Sequence, residues 1–189
     1  MNRRRFLKLG IGGAVALAAG GGVLRWVAMG YSEQLGPGEI PIALSAKELA
    51  IVKAFVATLL PEADGFPGGV ALGVHLRIDE EAWAASAGTR SDLENGLQLF
   101  EHATLLHGHR ARFTSLDLAA REKYIRDLLG GQPGALQQVA FGLKEMAHLF
   151  YYVRPETWTR IGYEGPFVAE AKPPESHVGY QALLAKRRG

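Results

Sequence analysis

Apolar residues recur every third or fourth position in five separate stretches of this chain, and nowhere does an alternating strand pattern appear. That spacing places one apolar stripe on each of several helices and leaves no half-buried strand to build a sheet. Ser45-Ala-Lys-Glu48 reads as a capping box, with Leu49, Val52, Val56 and Leu59 forming the first stripe and Pro61 stopping the helix. Asp64-Gly-Phe-Pro-Gly-Gly69 follows as a turn-rich loop. A second helix is expected near residues 72–85, with Asp79, Glu80 and Glu81 as its wet face. A third opens at Ser91-Asp-Leu-Glu and carries Leu93, Leu97, Phe100 and Thr104 on one side. Asp117 caps a fourth, with Leu118, Ile125, Leu128 and Leu129 inward, ending at Gly130-Gly131. Pro133 suits the first turn of a fifth, which presents Leu136, Val139, Leu143, Ala147 and Phe150. Residues 154–161 predict one short further helix. The expected fold is all-α: a single bundle of five or six helices with an N-terminal export or anchor helix and an irregular C-terminal tail.

Four parts follow from this reading. Residues 1–30 form a targeting or anchor segment, 31–44 a Gly/Pro-broken linker, 45–168 the helical domain, and 169–189 an extended, proline-rich tail that needs a partner surface to lie on. The first part carries its own signal. Arg3-Arg4-Arg5-Phe6-Leu7-Lys8 precedes a charge-free stretch from Leu9 to Leu24 in which six of sixteen residues are glycine. Paired arginines with Phe6 and Leu7 before a Gly/Ala-rich segment fit the twin-arginine export pattern, which a receptor reads. Arg3, Arg4, Phe6 and Leu7 are therefore the expected contacts of the twin-arginine translocase. A spanning helix needs about 20 apolar residues, a length reached here only by tolerating Arg25. Removal of the segment and its retention as an inner-membrane anchor both stand open.

Charge separates the parts further. The 189 residues hold 21 Lys/Arg and 19 Asp/Glu. Residues 1–30 contain five of the cations and no acid, so the remainder carries 16 basic against 19 acidic groups. A mildly acidic body offers no footprint for a phosphate backbone, which argues against nucleic acid as a partner. With no cysteine, disulfides, thiolate nucleophiles, cysteine-ligated clusters and covalent c-type haem attachment are all excluded.

Candidate chemistry within the chain is sparse. His102, His107 and His109 fall within eight residues and suggest a metal site. His102 and His107 lie about 140° apart around a helix, however, and His109 falls in the loop after Gly108. A helix end with solvated or capping histidines accounts for them more simply. Glu145 and His148 are spaced for contact on one helix face, without a nucleophile motif such as Gly-x-Ser-x-Gly. No glycine-rich phosphate loop follows a strand. The chain does not read as an enzyme by itself, and no cofactor of its own is expected.

Aromatics supply the remaining signal. Phe150, Tyr151, Tyr152, Trp158, Tyr163 and Phe167 crowd into eighteen positions. Successive helical side chains point about 100° apart, so three consecutive aromatics cannot all face one core. Either a partner covers the outward one, since Tyr and Trp suit interfaces, or the Trp158 segment folds back over them.

The run Phe150-Tyr151-Tyr152-x-x-Pro155-Glu156-x-Trp158-x-x-Ile161-Gly162-Tyr163-x-Gly165-Pro166 resembles the tail signature of the gluconate 2-dehydrogenase subunit 3 family. So does Leu59-Leu60-Pro61-x-Ala63-Asp64-Gly65 between two helices, and the twin-arginine start. Val153-Arg154 departs from the small-acidic pair that relatives tend to carry there. The resemblance spans roughly residues 45–168. It implies a non-catalytic small subunit of a periplasmic, membrane-associated sugar or polyol dehydrogenase. The implied partners are a large FAD-containing flavoprotein of the glucose-methanol-choline type, exported with this chain, and an electron acceptor such as a cytochrome c subunit bearing haem c. Phe150, Tyr151, Tyr152, Trp158, Tyr163, Pro166 and Phe167 are then the expected partner-facing residues. The competing enzyme reading is an independent metal-dependent periplasmic enzyme using His102, His107 and His109; a free-standing helical envelope protein is the third.

Overall fold

The computed structural model describes residues 30–166 and 172–189. The expected export contacts Arg3, Arg4, Phe6 and Leu7, the anchor helix and the interface candidate Phe167 lie outside the described residues. The described residues from 35 onward belong to one unit, the helical body. Among the described residues there are seven α-helices and no strand, beyond one isolated bridge between Ala63 and Phe66. The chain is all-α, as its periodicity requires.

Helix α1 (Ala46–Leu59) begins at the expected capping box: the Ser45 hydroxyl accepts from the Glu48 N–H, and the Glu48 carboxylate accepts from the Ser45 N–H. Leu49, Ile51, Val52, Phe55 and Val56 are all fully buried, so this helix is apolar around most of its circumference. Such a helix must run through the middle of a domain. It contacts α2 (Val74–Ala84), α3 (Ala87–Ala103), α4 (Leu118–Leu129) and α5 (Ala135–Tyr152). Helix α5 also touches all four others, so α1 and α5 together form the axis of the bundle. Phe100 of α3 stacks edge-on to Phe55 at 5.6 Å and to Phe113 at 4.7 Å. Tyr124 of α4 closes the cluster, donating its hydroxyl to the Phe100 carbonyl at 3.2 Å. Short helix α6 (Pro155–Trp158) and a 3-10 turn at Thr159–Ile161 follow α5.

Four expectations need correction. Helix α3 starts at Ala87, not Ser91, because Ser86 caps it by accepting from the Thr89 N–H. Leu118, expected inward, is half exposed, and Tyr124 takes the core position instead. Asp79 and Glu80 are buried, and only Glu81 stands at the wet face. Asp79 is drawn inward because three successive backbone N–H groups, of Ile42, Ala43 and Leu44, converge on its carboxylate at 2.7–3.1 Å. Finally, the tail is not extended: residues Glu175–Arg188 form helix α7, which packs on α2. Its proline pair stops at Pro174, leaving fourteen residues free to coil. Tyr180 sinks to 2% exposure and donates its hydroxyl to Asp79 Oδ2.

Candidate partner interface

The two segments that carry the sequence signature meet at one end of the bundle. The Leu60-to-Gly69 turn needs special backbone at two places: Asp64 has φ 51° and Gly65 φ 79°. Above Gly65 lies the Arg160 guanidinium, close enough that a Cβ there would come within 2.3 Å of Nη2. Tyr151 donates its hydroxyl to the Pro67 carbonyl at 2.8 Å. Thus the proline turn is held by residues from the aromatic end of the chain.

Within that end the glycines explain themselves. Trp158 donates its indole N–H to the Tyr152 carbonyl at 2.9 Å, pinning α6 against the end of α5. The chain then doubles around the indole: Gly162 (φ 70°) and Gly165 (φ 105°) both adopt left-handed conformations that glycine reaches without strain. Tyr163 packs edge-on to Trp158 at 5.4 Å, and a Cβ on Gly165 would meet the indole at 3.0 Å.

This geometry divides the expected interface residues. Phe150 and Tyr151 are buried at 7% and 4% exposure, so they are core rather than partner-facing. Phe150 belongs to the buried cluster, and the Arg77 guanidinium of α2 lies 5.2 Å from its ring centroid. Tyr152 is 46% and Tyr163 41% exposed, Pro166 is exposed, and Trp158 is half-buried. Both alternatives for the aromatic run therefore hold in part: the Trp158 segment folds back, and Tyr152 still faces outward.

The outward face is larger than the sequence signature. On α5 the exposed residues Phe141, Glu145, Leu149 and Tyr152 and the half-buried His148 fall within one sector of the helix, and Val153 and Ile161 extend the apolar surface at its end. Phe141, Leu149 and Ile161 were missed, though a readable signal existed: α5 carries large apolar residues on two opposite faces, and a helix in a small bundle buries only one. Glu145 pairs with Lys144 at 3.1 Å, and the His148 ring lies beside Tyr152. Burial, followed by the nearby Lys144 charge, lowers the His148 pKa from its ordinary value.

The histidine cluster does not assemble. His102 Nε2 faces Lys47 Nζ at 3.1 Å, while the rings of His107 and His109 both stand edge-on to Tyr124. Burial and then the Lys47 and Arg112 charges lower the His102 pKa. Among the described residues no group of three or more His, Cys, Asp or Glu side chains is placed to hold a metal ion. Nor is any described helix long and apolar enough to cross a membrane.

Fold and surface together define a small all-helical body whose signature segments converge beneath an uncovered aromatic face. A family model described as Gluconate 2-dehydrogenase subunit 3 matches residues 46–165. The chain belongs to that family, and it is a subunit of a multi-subunit dehydrogenase complex. The comparison with curated proteins returned no match, and neither did the comparison with solved structures. The family segment includes the proline turn, the Trp158 fold and the whole of α5, and it ends before α7.

Proposed function

We propose that this chain is the non-catalytic escort subunit of a periplasmic FAD-dependent sugar or polyol dehydrogenase, and that its large flavoprotein partner docks on the outer face of α5 and the α6 turn. The observation that carries this reading is the row Phe141, Leu149, Tyr152, Val153, Ile161 and Tyr163, each 41–59% exposed. Contiguous apolar surface with aromatic members is the composition of a protein interface core. Family membership supplies the reason for a partner. Redox chemistry resides in that partner, of the glucose-methanol-choline type, with haem c in a cytochrome subunit downstream.

The twin-arginine segment gives the escort role. Arg3 and Arg4 address this chain to the translocase, and a folded partner travels with it to the periplasmic face of the inner membrane. Two experiments test the two halves. Charging the docking face with Tyr152→Glu and Ile161→Glu, both exposed positions, releases the dehydrogenase subunit from the affinity-purified chain without changing its helical circular dichroism; continued copurification refutes the face. Arg3→Lys with Arg4→Lys strands dehydrogenase activity in the cytoplasm; full periplasmic activity refutes the escort.

A further inference from the structure

A second uncovered apolar feature lies away from the family signature. After α3 the chain makes a 3-10 turn over Thr104–His107, and Leu105 and Leu106 stand on it at 57% and 86% exposure. Leu106 is the most exposed of the large apolar side chains described. The turn is not a slack loop. Gly108 closes it at φ 80°, the His109 N–H donates to the Thr104 carbonyl at 3.1 Å, and the Thr104 hydroxyl donates to the Ala111 carbonyl at 2.8 Å. Below it, buried Glu101 accepts from the Thr114 N–H and hydroxyl and pairs with Arg112 at 3.7 Å. His107 and His109 rest their rings on Tyr124. Two leucines are thus held outward on a hydrogen-bonded turn.

The stretch of sequence that carries them is basic. Residues 102–116 contain Arg110, Arg112 and three histidines and not one acid, whereas the chain beyond residue 30 is acidic overall. Arg110 is exposed, four residues after Leu106. We infer that the Leu105-Leu106 tip is a peripheral membrane contact, which inserts its two leucines into the interface of an anionic bilayer while Arg110 meets the headgroups. Apolar insertion and cationic attraction to anionic lipid add in such contacts. A protein partner is the weaker fit. Leucine is under-represented among the residues that dominate protein interfaces, where Trp, Tyr and Arg lead, and the exposed aromatic residues Phe141, Tyr152 and Tyr163 sit instead on and after α5. The inference goes beyond the docking reading and stands or falls separately from it.

Because the chain has no cysteine, one introduced thiol labels one place. The full-length chain with Leu106→Cys carries an environment-sensitive fluorophore, and Asn95→Cys, exposed on α3, serves as the reference. Vesicles of phosphatidylcholine with about one-third phosphatidylglycerol should shift the emission of the label at position 106 to the blue and expose it to quenching by nitroxide lipids. The label at position 95 should stay unchanged, and pure phosphatidylcholine should give a much smaller response. Arg110→Glu should weaken the partitioning read at position 106 by about tenfold or more, since it reverses a charge at the headgroup level. To keep the leucine pair itself in the measurement, Leu105→Ser in the labelled chain should weaken it similarly. A label at 106 that ignores anionic vesicles overturns the inference. So does one that responds equally at positions 95 and 106, or one that responds only to the copurified dehydrogenase subunit, which would make the tip a protein contact.

Discussion

The Tyr180 hydroxyl lies 2.8 Å from Asp79 Oδ2, at the meeting point of the C-terminal helix and the middle of the bundle. Asp79 already accepts from three consecutive backbone N–H groups at residues 42–44, so one buried carboxylate fastens α7 and the segment leading into α1 to α2. Burial, followed by the Asp79 hydrogen bond, holds the Tyr180 phenol above its ordinary pKa and keeps it a donor. His177 with Glu80 at 2.5 Å, and Arg188 with the Gly38 carbonyl at 3.2 Å, flank this joint.

From that joint comes an order of stabilities. Tyr180→Phe removes one hydrogen bond to a carboxylate and should cost about 1.5–3 kcal/mol. Asp79→Asn should cost more, about 3 kcal/mol or above, because an amide NH2 would face N–H donors that can then find no acceptor. Urea titration followed by circular dichroism reads both. Equal midpoints for Asp79→Asn and the parent chain would show that the carboxylate does not fasten these segments.

Below neutral pH the fold should weaken through its buried histidines. His75 is 1% exposed; its Nε2 meets Glu39 Oε1 at 2.9 Å, and its Nδ1 has no hydrogen-bond partner. A proton on Nδ1 would make a buried, unpaired N–H. Burial accordingly lowers the His75 pKa below the ordinary 6.5, with Glu39 opposing only in part. The unfolded chain takes up a proton near 6.5 that the folded chain refuses, so stability rises with pH through this window and falls on acidification below it. His102 and His148, also lowered, act with the same sign. Between pH 7 and 5 His75→Gln, which keeps a donor toward Glu39, should lose less stability than the parent chain; denaturant midpoints at the two values give the comparison.

Packing beneath the proline turn should be intolerant of a single methyl group. A Cβ at Gly69 would come within 2.9 Å of both Leu60 Cβ and Val56 Cγ1. Gly69→Ala should therefore cost about 1–3 kcal/mol by overpacking. Gly65→Ala meets a left-handed backbone as well as Arg160, and should loosen α6. Hydrogen exchange at residues 155–161 is the readout, with faster exchange expected in Gly65→Ala.

How far the sequence reached is clear from particular residues. Local rules were sufficient where the cause was local. The Ser45 box, the Asp117 cap and the inward positions Leu143, Ala147 and Phe150 all depend on neighbours within a turn or two. Asp79 was read as wet because its partners lie 35 to 37 residues earlier and 101 later, and no periodicity reports such a meeting. Helix α7 was missed for the same reason: its own apolar pattern is thin, and its place depends on α2. Tyr151 could not be sorted from Tyr152 until the phase of α5 was known. The signature does mark two segments that meet at one end of the bundle, since the glycines and Trp158 there are local devices.

The central claim is that the outer face of α5 and the α6 turn are covered by the dehydrogenase subunit. Hydroxyl-radical footprinting of the intact complex against the isolated chain measures that cover residue by residue. Protection should concentrate at Phe141, Leu149, Tyr152, Ile161 and Tyr163, all exposed in the free chain, with Leu106, exposed on the turn after α3, unchanged. Oxidation of the α5 and α6 residues at equal rates in the complex and the free chain would contradict the account.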